Sequence, residues 1–351
     1  MTPFVSICVP TYNGKTYIRQ CLDSILAQTF ENFEVLIVDD QSSDETVSVA
    51  QEYAERDRRI RLVQNEHNLG LVGNWNRCIE LAQGEWIKFV FQDDLIAPEC
   101  LERMLAYKDS GKPVICCYRN FIFDSETLDS ICQYYLSLPL LESLFPDSNV
   151  VSAKSFLREV FKHTELNIIG EPTAVMVRRS IFYELGVFNA NLVQLCDWEM
   201  WVRILSNVGF IYLNEPLATF RVHGTSTSSM NVNKRWYSKD VLDPLLIVHD
   251  FAFHPLYANL RSCALSNSPP IDILKLFLFL TYRAKRIAFQ TANSGGNDRP
   301  CLKEWNKMAK LYPLIAKTSK SSYLYNRVKA LIKYCLSKLN FASLISGKQH
   351  L

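Results

Sequence analysis

The sequence predicts an α/β fold in which a mostly parallel sheet is flanked by helices. Three observations on residues 4–94 support this prediction. The first is a series of short, almost wholly apolar segments, which are typical of buried strands. The second is that these segments alternate with segments whose apolar residues recur at helical spacing. The third is that three of the strands end in a polar cluster. Wholly apolar strands favour a parallel sheet covered on both faces. Ligands bind beyond the carboxyl ends of such strands, so we expect the polar clusters to line one crevice.

The elements follow one another in a regular order. Strands are predicted at 4–9, 33–38, 60–63, 86–91, 173–177, 210–213 and 217–222, with helices at 17–26, 44–53, 75–81 and 152–163 and a further helix that opens at Asp197. The polar clusters are 10–14, 39–44 and 92–94. Residues 124–150 are predicted to be an irregular insertion, and the chain beyond Thr225 is aromatic-rich and predicted to be helical.

Composition places the chain among ordinary globular proteins. Of its 351 residues, 48% are hydrophobic and 21% charged, and the net charge of +2 gives no sign of nucleic-acid binding. The eleven cysteines include no C-x-x-C pair, which predicts reduced thiols and neither a disulfide framework nor a zinc site. The N-terminus has no signal-peptide pattern, and the apolar stretch 273–280 is too short for a bilayer. We therefore expect a cytoplasmic protein.

The charge is unevenly distributed along the chain. Residues 301–351 carry ten Lys or Arg and one acid, Glu304, so this tail has a net charge of +9 and the remainder −7. From Leu324 onward apolar residues recur at helical spacing, with lysines mostly on the other face. The tail could bind the inner face of an anionic cell membrane as a peripheral contact. It could equally pack on protein, with its lysines in solvent.

Phosphate-binding loops of the common kinds are absent from the sequence. The first strand is followed neither by G-x-G-x-x-G nor by a P-loop, so a bound phosphate would need another partner, such as a divalent metal ion on a carboxylate. Two pairs of adjacent acids at strand ends, Asp39–Asp40 and Asp93–Asp94, could provide that carboxylate. Each pair could instead do no more than cap the helix that follows.

An ordered series of motifs resembles the glycosyltransferases of family 2, which have the GT-A fold, a Rossmann-like sheet flanked by helices. The resemblance covers about residues 3–228 and rests on PTYN at 10–13, VDDQSSD at 38–44, NLG at 68–70, GEWI at 84–87 leading to QDD at 92–94, the segment 197–203 and FRVH at 220–223. It implies an inverting enzyme of the hexosyltransferase type, which moves a sugar from a nucleoside-diphosphate sugar to an acceptor.

The resemblance also assigns roles to individual residues. Binding of the nucleotide-sugar is implied for Pro10, Thr11, Asn13, Asp40, Asn68, Asp93 and Arg221. Asp94 is implied as the main ligand of Mg²⁺ or Mn²⁺, and His223 as a second metal contact. Gln92 departs from the family, which often has Asp-x-Asp here. As a strand-end loop acid, Asp94 is expected to contribute little to the core.

Asp197 resembles the general base of the family, the carboxylate that takes the proton of the acceptor hydroxyl. Cys196 stands where the family commonly has a preceding acid. At a helix N-terminus Asp197 is expected to stay ionised, although it could serve only as a helix cap. Four residues separate Glu199 from Arg203, a spacing that predicts an ion pair on the same helix.

The resemblance implies two regions. Residues 1–228 would form the catalytic domain, with a nucleotide-sugar half at about 1–122 and an acceptor half at about 123–228, and 229–351 a helical C-terminal region with the basic amphipathic tail. The expected acceptor is a glycan or lipid-linked glycan in surface polysaccharide biosynthesis, and residues 124–172 are expected to bind it. A sugar nucleotidyltransferase and a non-catalytic nucleotide-sugar-binding relative are the alternatives.

Overall fold

The structure is a computed structural model that describes residues 2–125, 127–164, 166–226, 235–293 and 300–318. Most of the predicted basic tail, from residue 319 onward, lies outside the described residues, and its membrane contact stays a prediction. Among the described residues, no helix combines the length and the apolar character that crossing a membrane requires.

Nine strands of the described residues form one sheet. They are β1 (Val5–Thr11), β2 (Phe33–Asp39), β3 (Ile60–Gln64), β4 (Trp86–Phe89), β5 (Leu95–Ile96), β6 (Val114–Phe123), β7 (Val150–Val151), β8 (Val175–Arg178) and β9 (Phe210–Val222). The order is β3-β2-β1-β4-β8-β6-β9-β5, and β7 pairs with β9. Strands β3, β2, β1 and β4 are parallel, whereas β8 runs antiparallel to both of its neighbours. The predicted α/β fold is confirmed.

The parallel strands bring the first polar clusters to one edge. Every residue of β1 and of β2 is buried, as their apolar sequences predict. Thr11 pairs with Asp39, and Asp39 pairs with Gln64, so the carboxyl ends of β1, β2 and β3 lie side by side. This register places the loops that leave β1 and β2 against each other.

The described residues also form fourteen α-helices. They are α1 (Ile18–Leu26), α2 (Thr46–Arg56), α3 (Leu71–Leu81), α4 (Cys100–Leu105), α5 (Asp129–Leu136), α6 (Leu141–Leu144), α7 (Ala153–Lys162), α8 (Ser180–Leu185), α9 (Cys196–Val208), α10 (Asp243–Phe253), α11 (Ala258–Leu265), α12 (Ile273–Asn293), α13 (Pro300–Leu311) and α14 (Pro313–Thr318). The prediction of an irregular insertion was wrong, because 124–150 contains α5 and α6. The two strands predicted within 210–222 are the single strand β9.

The chain divides into two compact units. The first contains the chain up to Phe156, with Asn167–Ala190 and Cys196–Ser226, and therefore the whole sheet. The second contains Leu157–Leu166, Asn191–Leu195 and the helices from α10 onward. The predicted division of the chain at residue 228 stays a prediction.

A buried carboxylate organises part of the second unit. Asp243, at the start of α10, accepts hydrogen bonds from the backbone N–H groups of Val193, Gln194 and Leu195 at 2.8–3.1 Å. Burial raises the pKa of Asp243 to about 6, although these three donors oppose the shift. Helix α12 packs against both α10 and α13 in the same unit.

Candidate active site

The first acid pair begins with Asp39, whose carboxylate is occupied by the chain. Its Oδ1 accepts from the hydroxyls of Thr11 at 2.9 Å and Ser42 at 2.5 Å, and its Oδ2 accepts from the backbone N–H of Ser42 at 2.9 Å. Asp39 and Thr11 are each 1% exposed, and Pro10 is buried within β1. These residues fix the shape of the β1 and β2 ends, and the contact predicted between Pro10 or Thr11 and the nucleotide stays a prediction.

Asp40 joins the end of β2 to the loop before α3. Its carboxylate accepts from the backbone N–H groups of Leu69 at 2.8 Å and Gly70 at 2.9 Å, and from the side-chain amide of Asn65 at 2.8 Å. Asn68 donates to the Asp40 carbonyl at 2.8 Å. Gly70 has φ +76°, a conformation that favours glycine. The structure thus brings Asp40 and Asn68 together, with Asp40 buried and Asn68 exposed.

Two side chains are exposed where β1 ends. Asn13, at φ +48°, accepts from the backbone N–H of Ser43 at 2.8 Å, so it is fixed against the β2 loop. Tyr12 is 52% exposed, and sequence reasoning missed it. Gln92 accepts from the Tyr12 N–H at 2.9 Å and donates to its carbonyl at 3.1 Å. The residue that departs from the family pattern therefore holds the backbone of an exposed aromatic residue.

The second acid pair has one member without exposed surface. Asp94 is 0% exposed; its Oδ2 accepts from the Thr173 hydroxyl at 2.5 Å and its Oδ1 from the backbone N–H of Arg221 at 3.0 Å. Burial, together with the charge of Asp93, raises the pKa of Asp94 well above its usual value. The expectation that Asp94 contributes little to the core was wrong. Its role as metal ligand stays a prediction, with both oxygens here bonded to the chain.

Asp93 is the more accessible member of the pair. Its Oδ2 lies 2.9 Å from Nε2 of His223, and a fifth of its side-chain surface is exposed. The other ring nitrogen of His223, Nδ1, lies 2.8 Å from the hydroxyl of Thr225. Arg221 donates from Nε to the Asp93 carbonyl at 3.0 Å. The structure therefore brings together Asp93 of the QDD motif and Arg221 and His223 of the FRVH motif.

Tyr17 completes this cluster, although its spacing in the sequence predicted a helical face. Its ring centroid lies 4.8 Å from that of His223, and the guanidinium carbon of Arg221 lies 4.5 Å from its ring centroid. The Tyr17 hydroxyl donates to Asp124 at 2.7 Å, and Arg221 donates to Gln20 at 2.7 Å. Stacking on an aromatic ring and hydrogen bonding fix the direction of the guanidinium.

Asp93 and His223 fit a divalent metal ion that is shared with a phosphate ligand. Within the described residues no cluster of three or more His, Cys, Asp or Glu side chains forms a metal site made by the protein alone. Mg²⁺ on a nucleotide usually takes only one or two protein carboxylates, with phosphate and water oxygens as the other ligands. Asp93 offers such an oxygen, and His223 offers an imidazole nitrogen beside it. The side chains of Asp93 and His223 are therefore suited to a divalent metal ion.

Asp197 is the second residue of α9, as predicted for a carboxylate at a helix N-terminus. Its Oδ1 accepts from the Trp198 N–H at 2.7 Å, and its Oδ2 accepts from the side-chain amide of Asn167 at 3.0 Å. Burial of the carboxyl group and the charge of Glu171 raise the pKa of Asp197 to about 7. Burial and the charge of Glu171 oppose the backbone N–H donor, and the expectation that the helix N-terminus keeps Asp197 ionised stays a prediction.

An ion pair between Arg119 and Glu171 lies beside Asp197, and sequence reasoning missed it. Arg119 Nε is 2.7 Å from Oε2 of Glu171, and both side chains are largely buried. Gly170, at φ +101°, lies so close that a Cβ atom there would be 2.4 Å from Nη1 of Arg119. The Gly170 carbonyl accepts from Trp201 at 2.8 Å and from Asn167 at 3.0 Å. No sequence motif marked Glu171 or Asn167.

The acid that follows in α9 has a purely structural partner. Glu199 Oε1 lies 2.8 Å from Nε of Arg203, and both side chains are buried, so the ion pair predicted from their spacing is confirmed. Arg203 also donates from Nη2 to the carbonyl of Val187 at 2.7 Å. Asp197 is therefore the more accessible acid at the start of this helix.

Comparison with known proteins agrees with this architecture. The model of Glycosyl transferase family 2 matches residues 6–186. An uncharacterized protein of Mycobacterium tuberculosis is 32% identical over 263 residues, 75% of this chain and 80% of the relative. An uncharacterized glycosyltransferase of Bacillus subtilis, EpsJ, is 39% identical over 52% of this chain and 50% of its own. Residues 1–349 of TarS from S. aureus, solved with UDP-GlcNAc, match with a TM-score of 0.57 at 20% identity, covering 94% and 92% of the two chains.

The fold is that of the GT-A glycosyltransferases, a central sheet of many strands flanked by helices, with further helices at the C-terminal end. The matched family model covers more than half of the chain and includes both acid pairs. The protein is a glycosyltransferase, and it belongs to glycosyltransferase family 2.

Proposed function

We propose that the protein is an inverting, metal-dependent glycosyltransferase, which moves a sugar from a nucleoside-diphosphate sugar to a glycan or lipid-linked glycan in surface polysaccharide biosynthesis. The observation that carries the proposal is Asp197, a half-buried carboxylate whose pKa is raised to about 7 and which Asn167 orients. A general base works best when its pKa lies near the working pH. The likeness to TarS, which binds UDP-GlcNAc, supports a nucleotide-sugar donor.

The donor nucleotide is proposed to lie where β1 and β2 end. Tyr12 offers an exposed ring for stacking on a base, and the exposed Asn13 and Asn68 offer amide groups to the base and ribose. Asp40, whose carboxylate is bonded to the 65–70 loop, is proposed to shape this surface.

The diphosphate is proposed to lie against Asp93, His223 and Arg221. Asp93 and His223 would hold Mg²⁺ or Mn²⁺, which offsets negative charge on the diphosphate when bound. Arg221 adds a fixed positive charge, because Tyr17 and Gln20 hold its guanidinium. For Asp94 we propose a different role from the one the resemblance implies: it fixes the backbone of Arg221 and the loop around Thr173.

Asp197 is proposed to take the proton from the acceptor hydroxyl as its oxygen attacks the anomeric carbon. The new glycosidic bond forms on the face opposite to the departing nucleoside diphosphate, so one displacement inverts the anomeric configuration. No carboxylate becomes glycosylated. Burial and the charge of Glu171 keep the pKa of Asp197 high, which makes Asp197 a base strong enough to accept the proton near neutral pH.

Turnover of a panel of nucleotide sugars with Mn²⁺ and glycan acceptors tests the proposal. Asp197→Asn keeps the shape of the side chain, and we expect it to lose about 10²–10⁴ in turnover, the usual share of a general base. Binding of nucleoside diphosphate should stay unchanged. Asp129→Asn, at an exposed acid on α5, is the matched control.

Three outcomes would contradict the proposal. Near-normal turnover of Asp197→Asn would reduce this residue to a helix cap. A product with the anomeric configuration of the donor, read by NMR, would exclude a single inverting displacement. Release of pyrophosphate in place of nucleoside diphosphate would indicate a sugar nucleotidyltransferase.

A further inference from the structure

A cavity of about 180 Å³ lies in the first unit, lined by residues of β6, β9, the insertion helices and Ile168–Ile169. Most of its wall is leucine, isoleucine and aromatic side chains, among them Leu138, Leu140 and Leu213. A cavity of about 150 Å³ lined by Leu, Ile and Phe can hold a benzene molecule. The size and lining therefore suit a six-membered aromatic ring or a short alkyl chain.

The cavity adjoins the surroundings of Asp197. Ile169 lines it, and two residues earlier in the chain Asn167 donates its hydrogen bond to the Asp197 carboxylate. Arg119 also lines the cavity and forms the ion pair with Glu171, the residue whose charge raises the pKa of Asp197. A ligand in this cavity would thus lie against the chain segment that orients the proposed base.

The cavity has an apolar edge that faces solvent. Leu136, at the end of α5, lines the cavity and yet is 63% exposed. A sugar ring here would place its hydroxyl groups mainly against leucine, isoleucine and aromatic side chains, and a buried hydroxyl without a hydrogen-bond partner is unfavourable. An apolar group avoids that cost. The guanidinium of Arg119 is a hydrogen-bond donor at the wall, suited to an oxygen atom at the polar end of such a group.

We infer that this cavity binds an apolar aglycone, an alkyl or aromatic group carried by the acceptor sugar, while the accepting hydroxyl lies at Asp197. The inference rests on the proposed function and deepens it, since it names the acceptor class: an amphipathic glycoside in place of a free, fully polar sugar. Leu138 and Leu140 are then specificity-determining residues for the aglycone.

Calorimetric titration with n-alkyl β-D-glucosides of increasing chain length, and with glucose, tests the inference without requiring turnover. Each methylene buried should raise affinity about fourfold, the equivalent of about 0.8 kcal/mol, until the cavity is full. Leu138→Trp should fill the cavity and abolish the dependence of affinity on chain length. Leu138→Asn, which adds no bulk, should weaken that dependence. Leu128→Trp, on the same insertion but outside the cavity, should keep it.

Binding of nucleoside diphosphate with Mn²⁺, measured on the same proteins, separates two kinds of failure. Failure of the proposed function would appear as absent nucleotide binding in all of them. Failure of the cavity assignment would leave nucleotide binding intact. In that case wild type would bind alkyl glucosides no better than glucose, or the affinity of Leu138→Trp for glucosides would depend on chain length as it does in wild type. Mutual exclusion of glucoside and nucleoside diphosphate would also overturn the assignment, because an acceptor site must be filled together with the donor site.

Discussion

The two acid pairs look alike in sequence but differ in their surroundings. Each follows a buried strand, yet both carboxylates of Asp39–Asp40 are occupied by donors from their own neighbourhood. In the second pair only Asp94 is occupied in this way, whereas Asp93 remains partly exposed beside His223. Adjacent acids therefore have different surroundings: the buried members hold loops in place, and Asp93 keeps part of its side-chain surface exposed beside His223.

The difference has a physical cause in the number of donors that reach each carboxylate. Asp40 meets the N–H groups of Leu69 and Gly70 in a loop that also supplies Asn65. Oδ2 of Asp93 meets one ring nitrogen of His223. A carboxylate with several fixed donors is a structural element, whereas one paired with imidazole can exchange its partner for a metal ion.

Of the substitutions in the two acid pairs, Asp93→Asn is expected to have the largest effect. This change keeps the size of the side chain and removes its negative charge, so we expect transfer to fall by about 10²–10³-fold, since charge stabilisation at a reacting group is worth that much. The midpoint of thermal unfolding should stay within a degree or two. Activity across a Mn²⁺ titration and a melting curve measure both. Wild-type metal dependence in the variant would remove Asp93 from the proposed metal site.

Asp40→Asn applies the same substitution to the first pair and should act on stability. Leu69 and Gly70 donate to different oxygens of Asp40, so the new amide places its N–H group against one of these two donors, and we expect the free energy of unfolding to fall by about 1–3 kcal/mol. Urea unfolding measures the loss, and Asp129→Asn on the surface is the control. If Asp40→Asn were as stable as the control but defective in nucleotide binding, Asp40 would belong to the ligand site.

Asp197 extends the comparison to pH. Its raised pKa, about 7, means that the ionised form is disfavoured in the fold, so its contribution to stability is present at low pH and lost as pH rises through about 7. Asp197→Asn should therefore be more stable than wild type at pH 8, by up to about 4 kcal/mol, since the pKa rises from 3.8 to about 7 and one pKa unit is about 1.4 kcal/mol, and the gain should vanish near pH 4.

Activity should show the opposite dependence, because the base must be ionised. In wild type kcat/KM should rise with pH and level off above about 7. The stability of wild type and of Asp197→Asn, measured between pH 4 and pH 8, checks the first prediction. The pH–rate profile of wild type checks the second. A stability gain that is constant from pH 4 to pH 8 would speak against a raised pKa.

The smallest effect is expected from Thr173→Val, which removes the hydroxyl that donates to buried Asp94. The hydroxyl also accepts from the backbone N–H of Phe91 at 3.3 Å, and loss of both hydrogen bonds should cost about 1–2 kcal/mol of stability. We also expect weaker binding of nucleoside diphosphate, because Asp94 holds the backbone of Arg221. Thr173→Ser, which keeps the hydroxyl, should restore both quantities. Equal stability of the Val and Ser variants would show that Asp94 does not depend on this bond.

Sequence reasoning succeeded where the signal is local. The buried strands β1 and β2 were predicted because most of their residues are apolar, and the Glu199–Arg203 pair was predicted from helix geometry. Helix α5 was missed because none of its residues is buried, so its sequence has no apolar face to recognise. Strand β9 was divided in two because Pro216 interrupts its pattern, and the structure accommodates this point with a register shift against β6.

By itself, the sequence determined the α/β class, the order of the elements from β1 to β4 and the presence of acids at two strand ends, since each depends on residues close together in the chain. Only the tertiary structure decided which acid of a pair is exposed. Asp94 is buried by Thr173 and Arg221, which are 79 and 127 residues away, and Asp93 meets His223 130 residues away. Adjacent carboxylates have the same chemistry, and their roles diverge only when distant donors reach one of them.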